Sequence, residues 1–351
     1  MSRHHNHPHK QKILFILKKK KLYDDPSYTK TIHSGLFNSA RFVSQMLNEN
    51  GIESHCVQVR DNNDIDREVT KYKPTTVVIE ALWVVPEKFE VLHKLHPKVK
   101  WIVRLHSEIP FIANEGMAME WIFGYDRLDP KINIHIAPNT LKMVWDLDKV
   151  GIKKLIYLPN YYPAVKKVKT HNHHKDHVDI GCFGAIRPMK NQLIQAVASI
   201  EFGNSIGKPV HFHLNTERIE KGETVIKNIR ALFENQKIHK LIEHPWYTHQ
   251  DFIKVISHMD LGLQVSFNET FNIVAADFVS EDVPLIGSNE INWLSFIYKA
   301  SPTASDQIVN RMKIAYKFRK FNLQNLNKIN LKKVSKESKE IWCSYFKTKK
   351  H

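Results

Sequence analysis

The sequence predicts an α/β protein with two Rossmann-like parallel-sheet domains facing a cleft, and three observations carry that expectation. Apolar runs of strand length alternate with amphipathic helical stretches from Lys12 onward. The alternation breaks once, over Pro163 to His177 (PAVKKVKTHNHHKDH), where periodicity is lost and charge is gained, and afterwards it restarts. Strand–helix alternation of this kind builds βα units around a parallel sheet. A chain of 351 residues is long enough to give each half its own core.

In the first half, strands are expected at Lys12–Leu17, Ser54–Val59, Thr76–Glu80, Lys100–Leu105, Ile132–Ala137 and Lys154–Leu158. Leu36 to Glu49 places Leu36, Phe37, Ala40, Val43 and Leu47 at helical spacing and stops at Asn50-Gly51. Pro138-Asn139-Thr140 reads as a helix start before Leu141 to Lys149. After the break come a strand at Asp179–Gly184, a helix at Gln192–Phe202, a strand at His211–Leu214 and a helix at Thr224–Asn235. A strand at Ile238–Glu243 and a helix at Thr248–His258 follow. Next come a strand through Leu261, Leu263 and Val265, a polar loop with Glu269, a helix with Asp277, and a strand at Val283–Ile286. Gln307 to Phe346 reads as basic helix. The expected organisation is a His/Lys-rich tail (1–11), an acceptor-side domain (12–162), a linker (163–177), a donor domain (178–320) and a basic helical segment (321–351) that packs back on the first domain.

Hydrophobic content of 42% and charged content of 25% are ordinary for a globular protein. The net charge of +16 is not, and it favours anionic partners: nucleic acid, an acidic membrane surface or phosphorylated substrates. Three cysteines, odd in number and far apart, exclude a disulfide framework and imply a reducing, cytoplasmic setting. No targeting segment is visible, and no run approaches the roughly 20 apolar residues of a membrane span, so any membrane contact is expected to be peripheral. The amino-terminal histidines are irregularly spaced without cysteine partners, and no metal site is expected there.

Two regions of the second half carry chemistry. A strand ends at Gly184, a short loop bears Arg187 and Lys190, and a helix follows. Cations on a loop at a helix start suit a diphosphate. Asn268, Glu269 and Thr270 then precede the next helix, another anion-binding position. Asp277 lies inside an otherwise apolar helix, where a carboxylate is costly unless it has a partner or faces a cleft.

The pairing of a Gly-x5-Lys loop (Gly184 to Lys190) with a Glu-x7-acid segment (Glu269 to Asp277) resembles the retaining glycosyltransferases of the GT-B fold, the large group-one family. The order of elements is similar from Lys12 to about Phe346. The resemblance implies that Arg187 and Lys190 hold the diphosphate of a nucleotide sugar, Glu269 meets the sugar hydroxyls and Asp277 the ribose. It further implies backbone amides from Thr270 and Phe271 toward the phosphates, and a base near His244-Pro245-Trp246-Tyr247. In the first domain, Ser34-Gly35-Leu36 is similar to the family's phosphate-side glycine loop and His106 to its histidine after a central strand. Departures are the Asp at 277 where Glu is usual, Ala185 where an arginine usually follows the glycine, a single loop glycine, and an insertion-like stretch from Lys18 to Tyr28.

The function so implied is hexose transfer from a nucleoside-diphosphate sugar to an acceptor hydroxyl, with retention, without a metal and without a cofactor beyond the donor. The acceptor is left open among a glycan, a lipid-linked glycan and modified nucleic acid, and oligomeric state is left open too. The alternative is a non-catalytic binding protein for nucleic acid or anionic surfaces on the same fold, favoured by the charge. Against it, the basic runs lack the interleaved aromatics that stacking platforms use.

Overall fold

The computed structural model describes residues 10–19, 34–164 and 176–347. The described residues fall into two compact units, one of 10–19, 36–163 and 335–347, the other taking in 176–334. Most of the amino-terminal tail, the Lys18–Tyr28 stretch and the 163–177 linker lie outside the described residues.

The first unit contains β1 (Lys12–Lys18), α1 (Gly35–Glu49), β2 (Glu53–Val59), α2 (Asp64–Tyr72), β3 (Thr76–Glu80) and α3 (Pro86–Leu95). It continues through β4 (Lys100–Leu105), α4 (Ile109–Ile112), α5 (Ala118–Arg127), β5 (Ile134–Pro138) and α6 (Leu141–Lys149). Its five strands are parallel in the order β2-β1-β3-β4-β5. Alternate residues of β1 enter opposite faces: Leu14 and Ile16 join one apolar cluster, Ile13, Phe15 and Leu17 the other. A sheet buried on both faces needs such continuous apolar strands.

The expected strand at 154–158 is not one. It lies along β5 with one isolated bridge, Ile136 to Leu155, and three backbone bonds: Ile136 N–H to the Lys154 carbonyl (2.8 Å), Ile156 N–H to the Ile136 carbonyl (2.9 Å) and Leu158 N–H to the Pro138 carbonyl (3.2 Å). Pro159 has no N–H to extend the ladder, and the Leu158 and Pro159 carbonyls instead accept from Arg104 Nε (3.0 Å) and Nη2 (2.9 Å).

The second unit contains β6 (Val178–Gly181), α7 (Gln192–Ile206), β7 (Val210–Asn215), α8 (Glu223–Glu234), β8 (Lys240–His244) and α9 (His249–Ile256). Then come β9 (Leu261–Gln264), α10 (Ile273–Ser280), β10 (Leu285–Gly287) and α11 (Ser305–Phe318). Its parallel order is β10-β9-β6-β7-β8. The connections run outward in both directions from the β6/β9 pair, which makes the gap between those strands the topological switch point, where open α/β sheets bind ligands at the carboxyl ends. Close packing there depends on Gly262, whose replacement by any residue with a Cβ would press within 2.7 Å of the Phe278 ring.

The last helix, α12 (Asn325–Phe346), starts in the second unit and ends in the first. Its carboxyl half brings Trp342, Cys343 and Phe346 into the β1–α1 cluster, and Trp342 Nε1 donates to the Pro159 carbonyl at 2.7 Å. The three cysteines are free thiols. Among the described residues no helix is long and apolar enough to cross a membrane.

Candidate donor site

Three loops meet at the carboxyl end of the second sheet: 182–191 after β6, 216–222 after β7 and 265–272 after β9. Gly184 turns the first of them with φ +119, a conformation open to glycine and strained for other residues. Its N–H donates to Asn215 Oδ1 (3.0 Å), while Asn215 Nδ2 donates to the Pro245 carbonyl (3.0 Å). A single asparagine thus ties the Gly184 turn to the loop bearing Trp246.

A set of amides, buried at Gln195, Gln264 and Asn272 and half-buried at Asn191, joins the first loop to the third. Asn191, at φ 59, donates from Nδ2 to the carbonyls of Val265 (3.0 Å) and Pro302 (2.7 Å). Gln195 donates to the Lys190 carbonyl (2.9 Å) and accepts from the Val265 N–H (2.8 Å). Gln264 donates to the Phe183 carbonyl (2.8 Å) and accepts from Asn272, which also caps α10 by accepting from the Ala275 N–H (2.8 Å). The two loops also share a backbone bond, Phe267 N–H to the Met189 carbonyl (3.0 Å). Bonds buried and satisfied in this way hold the loops rigidly.

On this frame sit the charged groups. Lys190 Nζ pairs with Glu269, whose side chain is 9% exposed. Arg187 pairs with Glu220 at 2.5 Å, and Arg218 pairs with the same carboxylate at 2.6 Å. Burial lowers the Arg218 pKa, opposed by Glu220 and reinforced by Arg187. The Trp246 ring lies under the Arg218 guanidinium, 5.1 Å from it, and the Trp246 backbone N–H donates to Glu217 (2.7 Å). The expected cations and acids are therefore neighbours, and each cation is held by a carboxylate.

The helix bearing Asp277 begins at Ile273, two residues later than the sequence pattern, with Phe271 as its first apolar residue, implied. Asn272 stands at its cap in the left-handed region, so Asn268 to Phe271 form a loop rather than a first turn. Trp293 donates to the Phe271 carbonyl (2.9 Å), and Asn268 reaches Glu290 at 3.4 Å. Asp277 is 1% exposed, and the partner such burial demands is His249, with Nε2 2.7 Å from Oδ1. His249 was not singled out from the sequence, and neither were Glu220, Asn191 or Gln195. Polar residues near helix starts are too common to mark them.

In the first unit, His106 follows β4 and bonds Glu80 at the end of β3. Arg104 closes the cluster, with Nη1 3.2 Å from Glu80 Oε1 and Nη2 2.8 Å from Asn160 Oδ1. Burial works against the Glu80 charge, but Arg104 and His106 outweigh it and hold its pKa below the usual carboxylate value. Burial, with Arg104 beside it, lowers the His106 pKa despite Glu80, so a neutral imidazole donating to a carboxylate describes the pair. Gly35 is the first residue of α1 and follows Ser34, a buried residue with which the described stretch 34–164 begins.

No family model matches the chain, and no curated protein does. Solved structures do. An apo structure of OtsA aligns with TM-score 0.68 at 10% identity, over 96% of this chain and 99% of that one. A trehalose-6-phosphate protein from E. coli bound with UDP-2-fluoro glucose aligns at 0.64 and 11% identity, over 95% and 98%. TarM from S. aureus, in complex with fondaparinux, alpha-GlcNAc-glycerol and UDP, aligns at 0.60 and 11% identity, over 78% of this chain and 55% of TarM. At such identities the likeness is one of fold: two Rossmann-like parallel-sheet domains in the GT-B arrangement of elements.

Proposed function

We propose that the protein transfers a hexose from a nucleoside-diphosphate sugar to an acceptor hydroxyl. The observation that carries this reading is the convergence of Arg187, Lys190 and Glu269 on loops after β6 and β9, at the switch point of the second sheet. Similar folds with UDP or a UDP-sugar analogue bound lend it support. Arg187 and Lys190 take the diphosphate, exchanging their carboxylate partners for phosphate oxygens. Glu269, released from Lys190, accepts from sugar hydroxyls. Asp277, oriented by His249, accepts from the ribose. Trp246 lies beside the base, and the Gly184 turn and the Thr270 and Phe271 amides complete the cradle.

Negative charge developing on the leaving diphosphate is the main chemical problem, and fixed cations on rigid loops solve it electrostatically. No divalent ion is required in this scheme, and the anomeric configuration is retained. In the first domain, His106 with Glu80 behind it is the group proposed to bond a sugar or acceptor hydroxyl. A panel of nucleotide sugars screened by thermal shift tests the donor claim, because a bound ligand raises Tm by mass action whatever the acceptor. One donor class raising Tm in wild type but not in Lys190→Ala supports it, whereas no shift from any donor contradicts it.

An anionic acceptor, such as a phospholipid-linked glycan, is favoured by one surface. Phe321 (71% exposed) and Ile329 (63% exposed) stand out among exposed Lys317, Lys320, Lys332 and Lys333 on α11, α12 and the turn between them. Apolar groups flanked by lysines suit the interface of an acidic bilayer. Co-sedimentation with anionic but not zwitterionic vesicles, reduced in Phe321→Ser, is the expected result.

A further inference from the structure

The opposite edge of the second sheet, where its strands begin, carries a separate polar cluster. Asp179 and His211 are the second residues of β6 and β7, and the parallel register pairs them directly. His177 lies just before β6. Its Nε2 is 3.3 Å from Asp179 Oδ1, and His211 Nδ1 is 3.7 Å from that same oxygen. The two imidazole rings stack with centroids 3.8 Å apart. One ligand atom from each of the three residues falls within 4.8 Å of the others. Bonds of about 2.0–2.1 Å in tetrahedral geometry put ligand atoms about 3.3 Å apart, so small rotations of the two partly exposed rings bring the set to metal-binding spacing.

What stands behind Asp179 makes the cluster more than a surface coincidence. His213 Nε2 donates to Asp179 Oδ1 at 2.9 Å, and its Nδ1 accepts from His244 Nε2 at 2.7 Å. Tyr247 then donates its hydroxyl to His244 Nδ1 at 2.8 Å. A single run of donations, from Tyr247 through His244 and His213 to Asp179, satisfies all three bonds. The Asp179 backbone is fixed as well, its N–H donating to Asp260 Oδ2 (2.9 Å) and its carbonyl accepting from the Asp260 N–H (2.8 Å). A carboxylate held by outer hydrogen bonds, with partly exposed imidazoles in front of it, has the layered order of a metal-binding centre. Two imidazoles and one carboxylate match the preferences of zinc-type divalent ions and not those of calcium or magnesium.

We propose that His177, Asp179 and His211 bind a divalent transition-metal ion of the zinc type at the amino edge of the second sheet, apart from the donor loops. The full-length protein, stripped with chelator and dialysed, is titrated with Zn2+ while Tm is followed and with Co2+ while visible absorption is read. Zn2+ is expected to raise Tm reversibly, and the absorption of four-coordinate Co2+ is expected to appear. His177→Ala and His211→Ala should each weaken the Zn2+ response at least tenfold. His213→Gln, which leaves the ligands in place, should weaken it by about 10–100-fold. Metal taken up by histidines outside the described residues is common to wild type and variants, so it cancels in the comparison. Variants are compared only where circular dichroism matches wild type. No Tm rise in wild type, or an equal rise in the His177→Ala/His211→Ala double variant, overturns the proposal.

Discussion

At the scale of single residues, the candidate site is a set of charges already matched to one another. Lys190 holds Glu269 and Arg187 holds Glu220, so the proposed diphosphate binding requires it to displace carboxylates. Hydrogen bonds to charged groups contribute about 1.5–3 kcal/mol each. Lys190→Ala should therefore weaken nucleoside-diphosphate binding by about 10–100-fold, measured by calorimetric titration. Glu220→Gln should have the opposite sign, weakening the carboxylate that competes with phosphate for Arg187 and tightening diphosphate binding. Asp277→Asn keeps the shape but loses the charge that His249 meets, and a rise in KM larger than any fall in kcat is the expected signature of lost ribose binding. Arg187, Lys190, Glu269 and Asp277 could be proposed from the sequence because their spacing from Gly184 and from one another forms a pattern. Glu220 and His249 were not, because pairs made 33 and 28 residues apart leave no local trace.

At the scale of elements, the apolar strands were the most readable feature, since a sheet covered on both faces forces continuous runs. Strand β3 agrees residue for residue with the expected Thr76–Glu80, and β4 with Lys100–Leu105. Helices α2, α3 and α5 were not anticipated. Their sequences are rich in charge and short, and α3 starts at a proline that reads equally well as a loop. The start of α10 was misplaced because Asn272 caps it from the left-handed region, which the apolar run beyond Phe271 conceals. The 154–158 segment looked like a strand from its apolar residues, but its pairing with β5 stops at its end, where the Leu158 and Pro159 carbonyls accept from Arg104. That buried arginine gives a further prediction. Glu80→Gln removes a fully buried partner and should destabilise the protein by about 3–5 kcal/mol in denaturant titration. Trp342→Ala, at a fully buried position of α12, should cost about 3–5 kcal/mol through the cavity it leaves.

At the scale of the whole molecule, protonation links two half-buried histidines to stability. Burial, and then His213, lowers the His244 pKa to about 4. Burial, and then Lys100 and Lys154, lowers that of His135 to about 4. Both rings therefore stay neutral in the fold at a pH where the unfolded chain, with histidines near 6.5, takes up protons. Above about pH 6.5 neither contributes to the pH dependence. As pH falls from about 6.5 toward 4 the unfolded state gains protons that the native state does not, and stability falls. Tm should decline over that window, and His135→Gln should make the decline shallower. Whole-molecule charge of +16 acts differently, setting attraction to anionic surfaces without deciding the fold. The central claim concerns the loops after β6 and β9, and calorimetric titration of nucleoside diphosphates into the wild-type protein and Arg187→Ala/Lys190→Ala, with chelator present, tests it most directly. Saturable binding in wild type, lost by at least a hundredfold in the double variant, is the predicted result. No binding of any nucleoside diphosphate, or equal affinity in the two proteins, would contradict it.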